Sequence, residues 1–118
     1  MLLLRTKKTH EKYLAYRKNG GLENGCVLCE RESLKEFNLW RVIKNEFPYD
    51  AVAEVHNMLV PKRHTKEAGL TDEERRELLE IKEGEYIAEN YNFILEATVG
   101  VKSIPAHFHL HLAKIKEI

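Results

Sequence analysis

A chain of 118 residues with 43% hydrophobic content has enough apolar material for one domain with a core of its own. Its 19 basic side chains are balanced by 19 acidic ones, so bulk nucleic-acid or membrane binding is not expected. The apolar run Leu2-Leu3-Leu4 ends at Arg5, too short for a signal-peptide core or a membrane span, and no later stretch reaches spanning length; a cytoplasmic protein is expected.

The first predicted element is a helix over 9–18, capped by Thr9, with Tyr13, Leu14 and Tyr16 as apolar contacts and Asn19-Gly20 as its stop. Residues 1–22 thus form a helical extension ahead of a core over 23–118. Cys26 and Cys29 follow the glycine-rich Asn19-Gly20-Gly21 and Asn24-Gly25, which read as a loop. Without an export signal a structural disulfide is not expected, which leaves a metal knuckle or a redox pair. A redox pair of the thioredoxin kind belongs where a strand gives way to a helix, so the loop setting favours metal. A strand is predicted over 39–43, a turn at Phe47-Pro48-Tyr49-Asp50, and a second strand over 54–60 stopped by Pro61.

Thr71-Asp72-Glu73-Glu74 is a capping box with Leu70 as its staple, and it opens the clearest helix. The pattern runs on through Leu78, Leu79, Lys82, Tyr86 and Ile87, past Gly84, which weakens the middle by roughly 1 kcal/mol relative to alanine. Phe93-Ile94-Leu95 reads as a strand, 100–105 as a loop, and 108–115 as a final alternating strand. The fold class expected is α+β, an antiparallel sheet with helices packed on it. His10 reads as a solvated helix residue and Lys62-Arg63 as a solvated basic turn. Trp40 and Phe47 read as core.

On a strand, His107, His109 and His111 share one face while Phe108, Leu110 and Leu112 turn to the core. Three imidazoles in a row bury poorly, so something must interact with them. They either bind one catalytic metal together or divide labour. In the second case the middle one is a neutral nucleophile facing a phosphate, its tautomer fixed by a hydrogen bond from the other ring nitrogen.

His107-Phe108-His109-Leu110-His111-Leu112-Ala113 resembles the signature of the histidine triad superfamily. Asn45-Glu46-Phe47-Pro48-Tyr49-Asp50 resembles that family's segment before its central strands. His56-Asn57-Met58-Leu59-Val60-Pro61-Lys62-Arg63-His64 is similar to its strand ending in a Pro-basic-basic-His turn, and Leu70-Thr71 with Glu73-Glu74 to the start of its main helix. Ser103-Ile104-Pro105 is similar to the version in the branch related to diadenosine tetraphosphate phosphorylases. The likeness covers the chain from about Cys26 to Ala113.

The resemblance implies a histidine-triad-like antiparallel sheet and a nucleotidyl hydrolase or transferase. Such an enzyme acts on the α-phosphate of a nucleoside phosphate ester, anhydride or phosphoramidate through a covalent nucleotidyl-histidine. His109 matches the nucleophile, and His111 and His56 match histidines of the phosphate site. Ser103, Lys102 and Asn45, with His111, take substrate-binding positions; Lys102 stands where a glutamine is common. Cys26, Cys29, His64 and His107 match the ligands with which galactose-1-phosphate uridylyltransferases hold zinc, so a structural Zn²⁺ is implied. Intervals of 34 residues from Cys29 to His64 and 42 from His64 to His107 are unlike a short zinc finger. A homodimer acting on a small nucleotide is implied too. The residues alone leave open a non-catalytic zinc-knuckle module that binds nucleotides or another protein.

Overall fold

The computed structural model describes residues 4–23, 25–102 and 104–117. Its frame is set by two mostly buried strands, β2 (Trp40–Lys44), exposed only at Lys44, and β3 (Ala53–Pro61), covered from Met58 to Pro61 and exposed at Glu54 and Val55. With β1 (Ser33–Glu36), β4 (Phe93–Leu95) and β5 (Leu110–Ile115) they form one antiparallel sheet of order β1-β2-β3-β5-β4. Strands covered on both faces need a packed layer on each side, and the chain supplies both. On one face α3 (Asp72–Glu83) and α4 (Glu85–Asn90) close a core of Trp40, Val42, Leu59, Phe108, Leu110 and Leu112. On the other, the one-turn helix α2 (Val27–Glu30) covers Ile43, Met58 and Val60 through Leu28. The N-terminal helix α1 (Lys7–Lys18) lies near the latter face and buries only Tyr13 among its own residues. The α+β class expected from the sequence is the one observed.

The capping box is present as read: Glu74 N donates to Thr71 Oγ1 at 3.1 Å and Thr71 N to Glu74 Oε1 at 2.8 Å. Arg63 adds Nη2 to the same carboxylate at 2.7 Å, which ties the Pro61–His64 turn to the helix start. Lys62 and Arg63 are exposed, as read for a solvated basic turn, and each has an acidic partner, Lys62 with Glu36 at 3.5 Å and Arg63 with Glu74. Trp40 is fully buried with Nε1 donating to Glu74 O at 2.9 Å, as a core residue.

Several expected boundaries move. The first helix starts two residues early because Thr6 is its cap, while the Thr9 hydroxyl turns to Asp50. Cys29 lies in α2 rather than a loop and Cys26 is the helix N-cap, with no strand before it among the described residues. The long helix breaks at Gly84, whose extended backbone (φ −83°, ψ 168°) ends α3 and starts α4; a Cβ there would lie 3.1 Å from the Glu80 carbonyl. The turn before β3 closes at Tyr49, whose carbonyl accepts from Val52 N and Ala53 N. Strand β1 was not anticipated, because all four of its residues are exposed and no alternation marks it. His10 is half-buried with Nδ1 covered and unpartnered, not solvated.

The last strand starts later than read. The β3–β5 ladder begins at Leu59 opposite Leu110, and upstream the chain pairs elsewhere, Phe108 N donating to Thr65 O at 2.7 Å. His107 and His109 thus precede the ladder and only His111 lies within it. The side-chain alternation persists nonetheless, with Phe108, Leu110 and Leu112 in the core and the three imidazoles on the α2 face.

Candidate active site and metal centre

The α2 face brings Cys26, Cys29, His64 and His107 together, with one ligand atom from each lying within 4.8 Å of the others. Cys26 Sγ and Cys29 Sγ are each 3.4 Å from His107 Nδ1, and Cys29 Sγ is 3.4 Å from His64 Nδ1. A tetrahedral ion with M–S near 2.3 Å and M–N near 2.05 Å separates sulfur from nitrogen by about 3.6 Å. Three of the six donor separations are therefore close to the edge length of such a tetrahedron, and the remaining three are no longer than 4.8 Å. His107 Nε2–H donates to Pro61 O at 3.1 Å, leaving Nδ1 as the lone-pair donor toward the ion, the outer-sphere bond that metal-bound imidazoles need.

Each ligand is placed by its own element. Arg41 on β2, almost fully buried, sends Nη2 to Leu28 O and Nη1 to Arg31 O, satisfying carbonyls at the end of α2 and fixing the cysteine turn to the sheet. Gly25, with φ +75°, supplies the left-handed step into Cys26. The Phe108–Thr65 bond pins the residues that follow His107 and His64. Burial is the main force that lowers the His107 pKa, and desolvation, with the neighbouring Cys26, raises that of Cys29 in the absence of a metal ion.

A second group of imidazoles continues from the first. His109 is 6% exposed, His111 5% and His56 5%, so the triad is buried, contrary to the expectation that it would bury poorly. The burial is tolerated because the rings satisfy one another. Tyr49 N donates to His56 Nδ1 at 2.9 Å, which puts the proton of neutral His56 on Nε2. That proton goes to His111 Nδ1 at 2.8 Å, so His111 carries its own proton on Nε2. Asn45 Oδ1 accepts from Phe47 N at 2.8 Å, and its Nδ2 lies 3.3 Å from His56 Nε2, which as a donor to His111 offers it no lone pair. His109 Nδ1–H donates to His107 O at 2.9 Å, leaving Nε2 with a free lone pair. His109 and His111 line the adjoining cleft, and among the described residues His10 Nδ1 is the only sealed side-chain polar atom without a partner.

Desolvation keeps these rings neutral. It lowers the pKa of His56 to about 4, with Arg5 and His109 adding repulsion, and that of His111 to about 3, with His56 adding to it. His109 is lowered by burial as well, partly offset by its bond to the His107 carbonyl. Burial raises the pKa of Tyr49, which packs 4.3 Å from the His56 ring centroid.

The cleft encloses about 70 Å³ and is lined by His109, His111, Asn45, Tyr49, Lys102 and Arg5, under a roof from α1. Pockets for whole drug-sized ligands are typically about 300–1,000 Å³. This one is several-fold smaller. Lys102 Nζ lies 3.8 Å from Glu96 and 5.8 Å over the Phe108 ring. Phe47, expected as core, is half-buried on the cleft wall, packed on Tyr13 and Tyr16.

The structure thus gathers all four sequence-derived metal ligands into one cluster, and His109, His111, His56, Asn45 and Lys102 into the neighbouring site. Ser103 lies outside the described residues. The three triad imidazoles do not converge on one ion, since among the described residues His107 alone of them joins a metal-ligand cluster. Sequence reasoning missed Arg5, Tyr49 and Arg41. Nothing local marks the first two, which reach the site by long-range packing, whereas a charged residue inside the strand pattern Trp40-Arg41-Val42-Ile43 was a visible signal. No helix among the described residues is long and apolar enough to cross a membrane. No family model matches the chain, and no curated protein matches it.

Proposed function

We propose that the chain is a histidine triad nucleotidyl hydrolase or transferase with His109 as its nucleophile. The observation that carries this reading is the bond from His109 Nδ1–H to the His107 carbonyl, which leaves Nε2 unprotonated on a ring that lines the cleft. Nε2 attacks the α-phosphorus as the bond from phosphorus to the leaving group breaks, giving an N–P-linked nucleotidyl-histidine. Water or a second acceptor then attacks phosphorus, the N–P bond breaks, and the imidazole is restored. His111 Nε2–H is oriented by His56 as a donor to a phosphoryl oxygen. Lys102 adds a point charge at the rim.

The metal fits this reading as structural zinc. Two thiolates and two imidazoles suit a closed tetrahedral zinc site with no open position, and the ion would hold Cys26, Cys29, His64 and His107 in place rather than take part in the reaction. Free thiols at Cys26 and Cys29 suit a reducing compartment, the cytoplasm. A homodimer would continue the sheet at the β4 edge, where Phe93 is 54% exposed; Phe93→Glu should then give a monomer by light scattering.

The test is mass spectrometry after mixing the protein with dinucleoside polyphosphates, nucleoside phosphoramidates and nucleotide sugars, quenched in base to spare the N–P bond. A nucleotidyl mass is expected on the wild type and not on His109→Ala, with equal metal content in both. Turnover by a clean His109→Ala protein overturns the proposal.

A further inference from the structure

We infer that Arg5, carried by the N-terminal segment outside the triad core, is an anion-binding residue of the cleft that contacts the phosphate group bound beside His111. The inference deepens the proposed function and rests on reading this cleft as a phosphate site.

Arg5 lines the same cleft as His109 and His111. It is half-buried, and burying a guanidinium is costly unless its charge and donors are matched. Among the described residues, Nε–H alone of its five N–H donors has an acceptor, the Phe47 carbonyl at 2.7 Å. Among the described residues no carboxylate and no carbonyl takes the two terminal nitrogens. The guanidinium instead lies 4.3 Å from the Tyr13 ring centroid and 5.1 Å from that of Tyr49. Two aromatic faces and one carbonyl hold a planar cation still while leaving its terminal fork unoccupied, the arrangement that suits bidentate capture of a phosphate.

The other cations of the cleft differ. Arg31 is paired with Glu46 and Lys102 stands near Glu96, while Lys44, without a carboxylate partner among the described residues, is exposed at the end of β2. Arg5 is therefore the covered cation with spare donors. Its charge is felt at both His56 and His111, which places it close to the imidazole pair.

The segment bearing Arg5 is held by a defined set of bonds. Thr6 N donates to Asp50 Oδ1 at 2.9 Å, Thr6 Oγ1 to Asp50 Oδ2 at 3.2 Å, and Thr9 Oγ1 to Asp50 Oδ2 at 2.5 Å. Ala51 N donates to Leu4 O at 3.1 Å. These contacts fix the backbone on either side of Arg5 without using its terminal nitrogens. A role confined to propping the Phe47 loop would need only Nε.

The experiment is a titration of the metal-loaded protein with inorganic phosphate at low ionic strength, followed through the His109 and His111 ring signals by NMR. Wild type, Arg5→Ala and Arg5→Lys are compared, with a urea unfolding curve for each in the absence of phosphate. Loss of a charged, forked donor set should weaken phosphate binding roughly tenfold or more in Arg5→Ala, with Arg5→Lys between the two. Equal phosphate affinity in wild type and Arg5→Ala overturns the inference, even if the variant is less stable, because only the loop-propping role would then be lost. That result leaves the nucleophile untouched. Failure of phosphate to perturb either ring in the wild type would instead sink both the inference and the reading of the cleft beneath it, while absence of a nucleotidyl-histidine alone would sink only the latter's chemistry.

Discussion

Acid should destabilise this protein through His56 and His111, and the size of the effect follows from their burial. Both rings are pushed below the ordinary imidazole value, His56 to about 4 and His111 to about 3, chiefly by desolvation. With folded pKa values below the unfolded one, the unfolded chain binds more protons, so stability rises with pH and falls as pH drops through about 6.5. Between pH 7 and 5 the folded rings stay neutral while the unfolded ones become almost fully charged. The loss is then about 2 kcal/mol per ring, about 4 kcal/mol for the pair, and it flattens only as pH nears the folded values. That is a large share of a typical folding stability of roughly 5–15 kcal/mol. The assay is urea unfolding by far-UV circular dichroism at pH 7, 6 and 5, on the wild type and on the double variant His56→Gln/His111→Gln. Protonation of the metal ligands weakens both proteins alike, so the difference in slope isolates the pair. Parallel stability profiles for the two proteins would refute the reasoning.

Two further outcomes are expected from residues that hold the metal turn and the helix start. Arg41→Met removes the buried guanidinium from the Leu28 and Arg31 carbonyls and should weaken metal binding about 10–100-fold in a chelator competition, with all four ligands intact. Glu74→Ala deletes half of the capping box and the partner of Arg63, and should cost about 0.5–2 kcal/mol in urea unfolding, with the metal retained.

What the sequence disclosed depended on range. The Thr71–Glu74 box closes within one helical turn and needs no tertiary context, so it could be read as it stands. The facing of Phe108, Leu110 and Leu112 away from the imidazoles likewise follows from extended backbone alone. The start of β5 did not, because it depends on where β3 stops pairing and on Thr65 capturing Phe108 N. The break at Gly84 turns on a carbonyl that the glycine approaches closely, where propensity only measured a small penalty. At the site, the four metal ligands were placed by resemblance, but the neutral relay from Tyr49 N through His56 to His111 was not legible, because it joins residues 55 apart through ring nitrogens. Arg5 was hidden for the same reason, being 42 residues from the carbonyl it bonds.

His107 links the candidate metal site to His109, the proposed nucleophile. Its Nδ1 stands 3.4 Å from both thiol sulfurs, its Nε2–H is held by the Pro61 carbonyl, and its own carbonyl accepts the proton of His109 Nδ1. A bound ion would therefore immobilise the peptide unit that sets the His109 tautomer. Without it the His107 ring is held by the Pro61 carbonyl alone and its peptide unit by the bond from Phe108 N to Thr65 O, a lighter tether that lets the His107 carbonyl turn from His109 more easily. An imidazole whose Nδ1–H loses its acceptor places the proton on Nε2 in part of the population, and that fraction cannot attack. Chelation should thus slow formation of the nucleotidyl-histidine by roughly tenfold or more, in keeping with the loss of an orienting partner, although the ion contacts no substrate. Reloading with zinc or with cadmium should restore the same rate to within about twofold, since a support for His107 depends on donor geometry rather than on the Lewis acidity of the ion. A chelated protein that keeps its circular dichroism spectrum and forms the adduct at the original rate would show that the tautomer of His109 is fixed without help from the metal.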